Sequence, residues 1–189
     1  MPAAHPSVSR RLLHRRAFDV QVFARDDGQF DVEAGLTDTK THEVPLAGEA
    51  RQAGDPIHEM RLLLTVDAQL TITAATSQTL WMPYAGACDA HGNAYARLVG
   101  LNLMKGFRQA VQERLGGTRG CTHLTELCQV LPTAVIQAMA GSVIDTREGD
   151  GDGNPPFQLD RCHALRRDGP TVAKFYPRWH LPADAATVS

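Results

Sequence analysis

Apolar and polar residues alternate along the first third of the chain. Phe18, Val20, Val22 and Ala24 occupy every second position, Asp26-Asp27-Gly28 supplies turn chemistry, and Phe30, Val32 and Ala34 resume the alternation. A period of two on both sides of a turn predicts a β-hairpin. The pattern returns at Ile57 to Val66 and at Gln69 to Thr79, two β-rich runs separated by Asp67-Ala68. Thr37 to Pro56, with Pro45, Gly48 and Gly54 and little periodicity, reads as a long loop between the two pairs. Farther on the period becomes helical. Leu98, Leu101, Met104, Phe107, Val111 and Leu115 predict a helix within Tyr95 to Leu115, weakened by Gly100 and Gly106 and stopped by Gly116-Gly117. Leu124, Leu127, Leu131, Val135 and Met139 predict a longer helix from Cys121 to Ala140, with Pro132 as a kink. The expected fold is α+β: an antiparallel sheet of about four strands covered on one face by two helices.

The flanks differ in character. Residues 1–16 carry Pro2, Pro6 and a group of Arg and His, which predicts a flexible basic tail; residues 17–145 hold the periodic segments and form the core domain. Residues 146–189 open with the Asp/Gly run from Glu148 to Asn154, read as an acidic, Gly-rich linker because the ligand alternation and closing Glu of a calcium loop are missing. The rest of that segment is an appendage on the core, with a hairpin expected around Asp168-Gly169-Pro170.

Charge and composition narrow the classes. A net charge of -2 and a charged fraction of 21% give no electrostatic footprint for nucleic acid. No apolar run approaches the roughly 18 residues of a membrane span, and the basic start does not read as a signal peptide, so a cytoplasmic protein that neither crosses nor binds a membrane is expected. The 4 cysteines of a chain without secretory features are then reduced thiols, available for metal or thiol chemistry or buried as small hydrophobes.

That chemistry centres on Gly120-Cys121-Thr122-His123-Leu124, where two soft ligand residues stand at the start of the longest apolar helix. A thiol there meets exposed N–H groups and the positive end of the helix dipole. His58 at a strand start and Cys88 in the loop after the sheet are further soft ligands, brought to the same end of the sheet by folding. His58, Cys88, Cys121 and His123 thus form a candidate mononuclear zinc or iron set, with Asp55 as an additional oxygen ligand or imidazole anchor. If a coordination position stays open, Asp55 and Glu59 are the candidate proton carriers of a metal-dependent enzyme acting on a small molecule. A metal scaffold or carrier served by a delivery partner, a Cys121 thiol enzyme with His58 or His123 as base, and purely structural cysteines are the alternatives. Cys128, seven residues after Cys121, falls on the core stripe of the helix, and Cys162-His163 lies in the appendage. No Gly-x-Ser-x-Gly elbow, Walker loop or dinucleotide fingerprint is present.

As a set, Asp26-Asp27-Gly28, the segment Leu36 to Lys40, the segment Gly54 to Met60 and Gly120 to Leu124 resemble a bacterial family known as domain of unknown function 2889, over nearly the whole chain. The resemblance implies which positions matter and no activity. The order of Gly-Asp, two strands, a cysteine loop, a helix and a cysteine opening a long helix is also similar to iron–sulfur cluster scaffold proteins. Asp55, Cys88 and Cys121 match that pattern, whereas Ala53 stands at its first cysteine. A mixed His/Cys set suits a mononuclear ion better than an iron–sulfur cluster.

Overall fold

The computed structural model describes residues 8–46, 49–149 and 151–182. It contains one 4-stranded antiparallel sheet in the order β1-β2-β3-β4, formed by β1 (His14–Ala24), β2 (Phe30–Lys40), β3 (Pro56–Val66) and β4 (Ile72–Trp81). Three α-helices follow, α1 (Phe107–Leu115), α2 (Thr122–Met139) and α3 (Pro170–Phe175), together with short 3-10 turns. The α+β reading of the sequence describes this architecture. Among the described residues no helix is long and apolar enough to cross a membrane.

The strands form where the alternation places them, and they run farther than it suggested. β1 and β2 pair without interruption from His14↔Lys40 to Ala24↔Phe30 around the turn at Gly28. His14, Arg15 and Arg16 therefore belong to the sheet rather than to a basic tail, while residues 1–7 of that predicted tail lie outside the described residues. At the other end of the hairpin the predicted loop loses its first residues, because β2 continues through Thr37, Asp38, Thr39 and Lys40.

One face of the sheet is apolar. Val32, Ala34 and Leu36 of β2 and Met60, Leu62, Leu64 and Val66 of β3 are all buried on it. The opposite face carries Asp19, Gln21, Glu33, Glu59 and Arg61, as a half-solvated antiparallel sheet requires. The helical stripe Leu124, Leu127, Cys128, Leu131 and Val135 is fully buried in turn, with Cys128 on the core side as its spacing implied.

The first predicted helix is broken. Only Ala94–Leu98 winds, as a 3-10 turn, before the chain turns extended and exchanges backbone bonds with the start of β4: Ile72 N–H donates to Leu101 C=O at 2.9 Å and Gly100 N–H to Ile72 C=O at 2.8 Å. Gly106, with φ of 64°, then supplies the left-handed residue that directs the chain into α1. Pairing with the sheet thus overrides the helical periodicity between Leu98 and Met104.

By compactness the chain divides into two units, with the split between Val135 and Ile136, earlier in the chain than the 145/146 boundary read from composition. The second unit buries Leu159 and Val172. Where a terminal hairpin was expected, it holds a 3-10 turn at His163–Leu165 and the helix α3, which begins on Pro170 because proline is pre-set for the first helical position.

Core and edge positions should respond differently to truncation. Leu36→Ala, which empties a fully buried site, is expected to lower unfolding free energy by about 2–5 kcal/mol. Leu80→Ala, at a 44% exposed position, should change it by less than about 1 kcal/mol. Urea unfolding followed by circular dichroism measures both.

Candidate metal centre

The buried face of the sheet ends in a polar rung. Carrying the alternation of β2 past Val32, Ala34 and Leu36 brings the next inward side chain to Asp38, which is only 3% exposed. Its register partners are Arg16 on β1 and His58 on β3, so the three side chains line up across neighbouring strands on one face. The rung below is apolar, Phe18, Leu36 and Met60.

The start of α2 closes over this rung. Tyr95 Oη donates to the Cys121 carbonyl at 2.7 Å and lies 2.9 Å from Thr125 Oγ1, which ties the first turn of α2 to the Ala94–Leu98 segment. Gly120 is required for that approach, since a Cβ there would sit 2.9 Å from the Leu115 carbonyl and 3.1 Å from Tyr95 Oη. Fixed in this way, the helix start presents His123 to the rung.

The contacts around Asp38 are dense. Arg16 grips the carboxylate with two bonds, Nε to Oδ1 at 2.8 Å and Nη2 to Oδ2 at 2.7 Å, and its third nitrogen bonds Glu126 of α2. His14 Nε2 lies 3.0 Å from Oδ1 and His58 Nδ1 lies 3.0 Å from Oδ2. His123 Nε2 stands 3.7 Å from the same Oδ2, and its ring faces that of His58 with centroids 3.8 Å apart. Asp38, His58 and His123 each offer a donor atom within 4.8 Å of the others, a group that could hold a metal ion.

Electrostatics set the ionisation of Asp38 and His123. Burial alone would push the Asp38 carboxyl up, but the Arg16 fork, together with His14 and His58, outweighs it and holds the group down at about 2. The carboxylate is therefore ionised at any physiological pH. His123 is moved below the usual imidazole range by burial, then by His58 and by Arg16, so its ring is neutral and keeps a lone pair.

Of the residues singled out from sequence, His58 and His123 come together. Cys121 lies beside them on the other side of the His123 ring, its Sγ 3.8 Å from Nδ1 and 3.7 Å from Met60 Sδ. Cys88, half-buried in the turns after β4, is not in the cluster. Asp55 is exposed in the turn before β3, its N–H bonded to the Gln52 carbonyl. Glu59 follows His58 in the strand and so points to the opposite face of the sheet, where Arg61 is 3.6 Å away. Cys128 is buried with its thiol pushed up to about 12 by desolvation, and Cys162 is exposed in the second unit. The residue that organises the cluster, Asp38, was hidden inside the predicted loop. Extending the period-two pattern by two residues beyond Leu36 would have placed it on the inner face.

The depressed Asp38 ionisation sets a pH dependence. Its folded value lies below the ordinary 3.8, so its contribution is complete above about pH 4 and is lost as pH falls toward 2. In chelator-treated protein the loss should amount to about 2 kcal/mol of unfolding free energy, and Asp38→Asn should remove that part of the profile; denaturant titrations from neutral pH downward measure it.

No curated protein and no solved structure matches the chain. A family does. Residues 14–137 match the family described as Protein of unknown function (DUF2889), a span that opens on the first residue of β1 and takes in His14, Arg16, Asp38, His58 and His123. With about two thirds of its length matched in this way, the chain belongs to that family.

Proposed function

We propose that the protein binds one divalent transition-metal ion, zinc or iron, through Asp38, His58 and His123, and that it is a metal-dependent enzyme acting on a small molecule. The observation that carries this reading is the spacing of the three donors. Bonds of about 2.1 Å separate neighbouring ligand atoms by about 3.0 Å in octahedral and about 3.4 Å in tetrahedral geometry. The 3.0 Å from His58 Nδ1 to Asp38 Oδ2 and the 3.7 Å from His123 Nε2 to the same oxygen straddle those values. Two borderline imidazoles beside one hard carboxylate suit zinc and iron rather than calcium or copper(I).

The surroundings suit the role. His14 holds Oδ1 of the carboxylate and Arg16 bonds both of its oxygens, the outer hydrogen bonding that orients a ligating oxygen. Three protein ligands leave room for a water or substrate, and an ion with an open position acidifies a bound water or polarises a carbonyl. Glu126, the one carboxylate of α2, is held by Arg16 and is a candidate to accept a proton at the site's rim. One observation favours a second reading: Cys121 Sγ lies 3.8 Å from His123 Nδ1, a thiol beside an imidazole at a helix start, as nucleophilic thiol chemistry requires.

Metal analysis distinguishes the two. Chelator-treated protein titrated with zinc(II), and with iron(II) under anaerobic conditions, should take up about one equivalent, the stoichiometry of a single three-ligand site. His58→Ala and His123→Ala should abolish uptake, and Cys88→Ser should leave it unchanged. Absence of uptake by the native chain refutes the metal centre. Rapid alkylation of Cys121, slowed by His123→Ala, would then support the thiol reading. His14→Ala, which removes an outer partner of Asp38, should weaken metal affinity about 10–100-fold without changing stoichiometry; competition with a chromophoric chelator measures it.

A further inference from the structure

β1 is an edge strand, and among the described residues β2 is its one neighbour in the sheet. Two backbone bonds fix which way its groups point. Arg25 N–H donates to Gln29 C=O, and Thr41 N–H donates to Leu13 C=O. In the unbroken register between these bonds, the odd-numbered residues of β1 exchange their bonds with β2. The even-numbered residues, Arg16, Phe18, Val20 and Val22 among them, aim N–H and C=O away from the sheet. They are also the residues of the apolar face, where Phe18 is 39% exposed and Val20 and Val22 are only half-buried. On the other face Phe23 is 46% exposed.

Proteins ordinarily blunt such an edge with proline, a bulge or an unpaired inward charge. β1 has no proline, and its pairing with β2 has no register shift, whereas β2–β3 and β3–β4 both do. Its inward basic residues, His14 and Arg16, lie at one end and are held by Asp38. The opposite edge of the sheet is less open, since Gly100 and Leu101 bond the first residue of β4.

The geometry points to a second copy of this chain as the partner of that edge, with the two β1 strands pairing antiparallel across a two-fold axis through Val20. The strand is self-complementary about that point. Val20 meets its own counterpart, Phe18 meets Val22, Ala17 meets Phe23, Asp19 meets Gln21 and Arg16 meets Ala24. Even-numbered residues then face even-numbered residues, so the free N–H and C=O groups of both strands satisfy each other, and the exposed apolar side chains form one strip on the face that carries the core. Like charges meet at Arg15 opposite Arg25, and Arg25 is already neutralised by Asp27 at 2.6 Å and Asp31 at 3.1 Å.

Size-exclusion chromatography with light scattering on the whole chain tests this. The native protein should have twice the 20.6 kDa chain mass. Val20→Pro should halve it while leaving the far-ultraviolet spectrum unchanged, because the N–H it removes is not used by the hairpin. Val20→Lys, which retains the N–H and places a charge at the axis, should also halve the mass, and it decides the matter should the proline variant fail to fold. In hydrogen exchange the amides of Phe18, Val20 and Val22 should be protected in the native protein and unprotected in Val20→Lys. A native mass of one chain at every concentration overturns the proposal, as does a folded Val20→Lys that retains the native mass.

Discussion

A buried ionised carboxylate is the constraint on which the site end of this fold depends. Asp38 is almost without solvent contact, so its charge must be met by protein groups. The fold meets it from two neighbouring strands, Arg16 and His14 from β1 and His58 from β3, with His123 of α2 standing 3.7 Å away. Those partners explain features that packing alone would not. β1 has to reach back to His14 to place two of them, and α2 has to begin where it does to bring His123 alongside. Removing one member of such a buried set typically costs about 3–5 kcal/mol, because the remaining charge is left uncompensated.

The position of His123 shows how little of this depends on helix propensity. α2 has no acidic residue in its first turn. Its start is located instead by the Tyr95 hydroxyl on the Cys121 carbonyl and by the absence of a side chain at Gly120. Burial raises the ionisation of Tyr95 above its ordinary range, so the hydroxyl remains a donor throughout the physiological pH window. A buried phenol thus sets where an imidazole stands.

Sheet and helices were legible in the sequence wherever one period held over several residues, as in Phe18 to Ala34, Ile57 to Val66 and Leu124 to Met139. Two physical effects hid the rest. Between Leu98 and Met104 the helical spacing is real, but Gly100 and Leu101 bond the edge of β4 instead, a tertiary choice that local pattern does not encode. At Asp38 a charged residue interrupts an apolar alternation, which reads as the end of a strand, although the strand continues because partners on both neighbouring strands neutralise the charge. Of the candidate ligands, His58 and His123 were visible as soft donors at element ends. Glu59, the candidate proton carrier, is turned to the opposite face by strand alternation, and Cys88 is kept out of the cluster by the course of a loop that the sequence does not fix.

The site and the exposed edge of the sheet have a common origin. β1 is the strand that supplies Arg16 and His14 to Asp38, so it must stay straight and in register along all 11 of its residues. A bulge in it would protect the edge, yet it would also shift Arg16 by a residue and turn it to the other face, leaving the carboxylate half-paired. A bulge, one of the usual protections, is therefore denied to this edge by the chemistry of the cluster. Another strand can shield it, and a strand whose central residues complement one another about Val20 can take that strand from an identical chain.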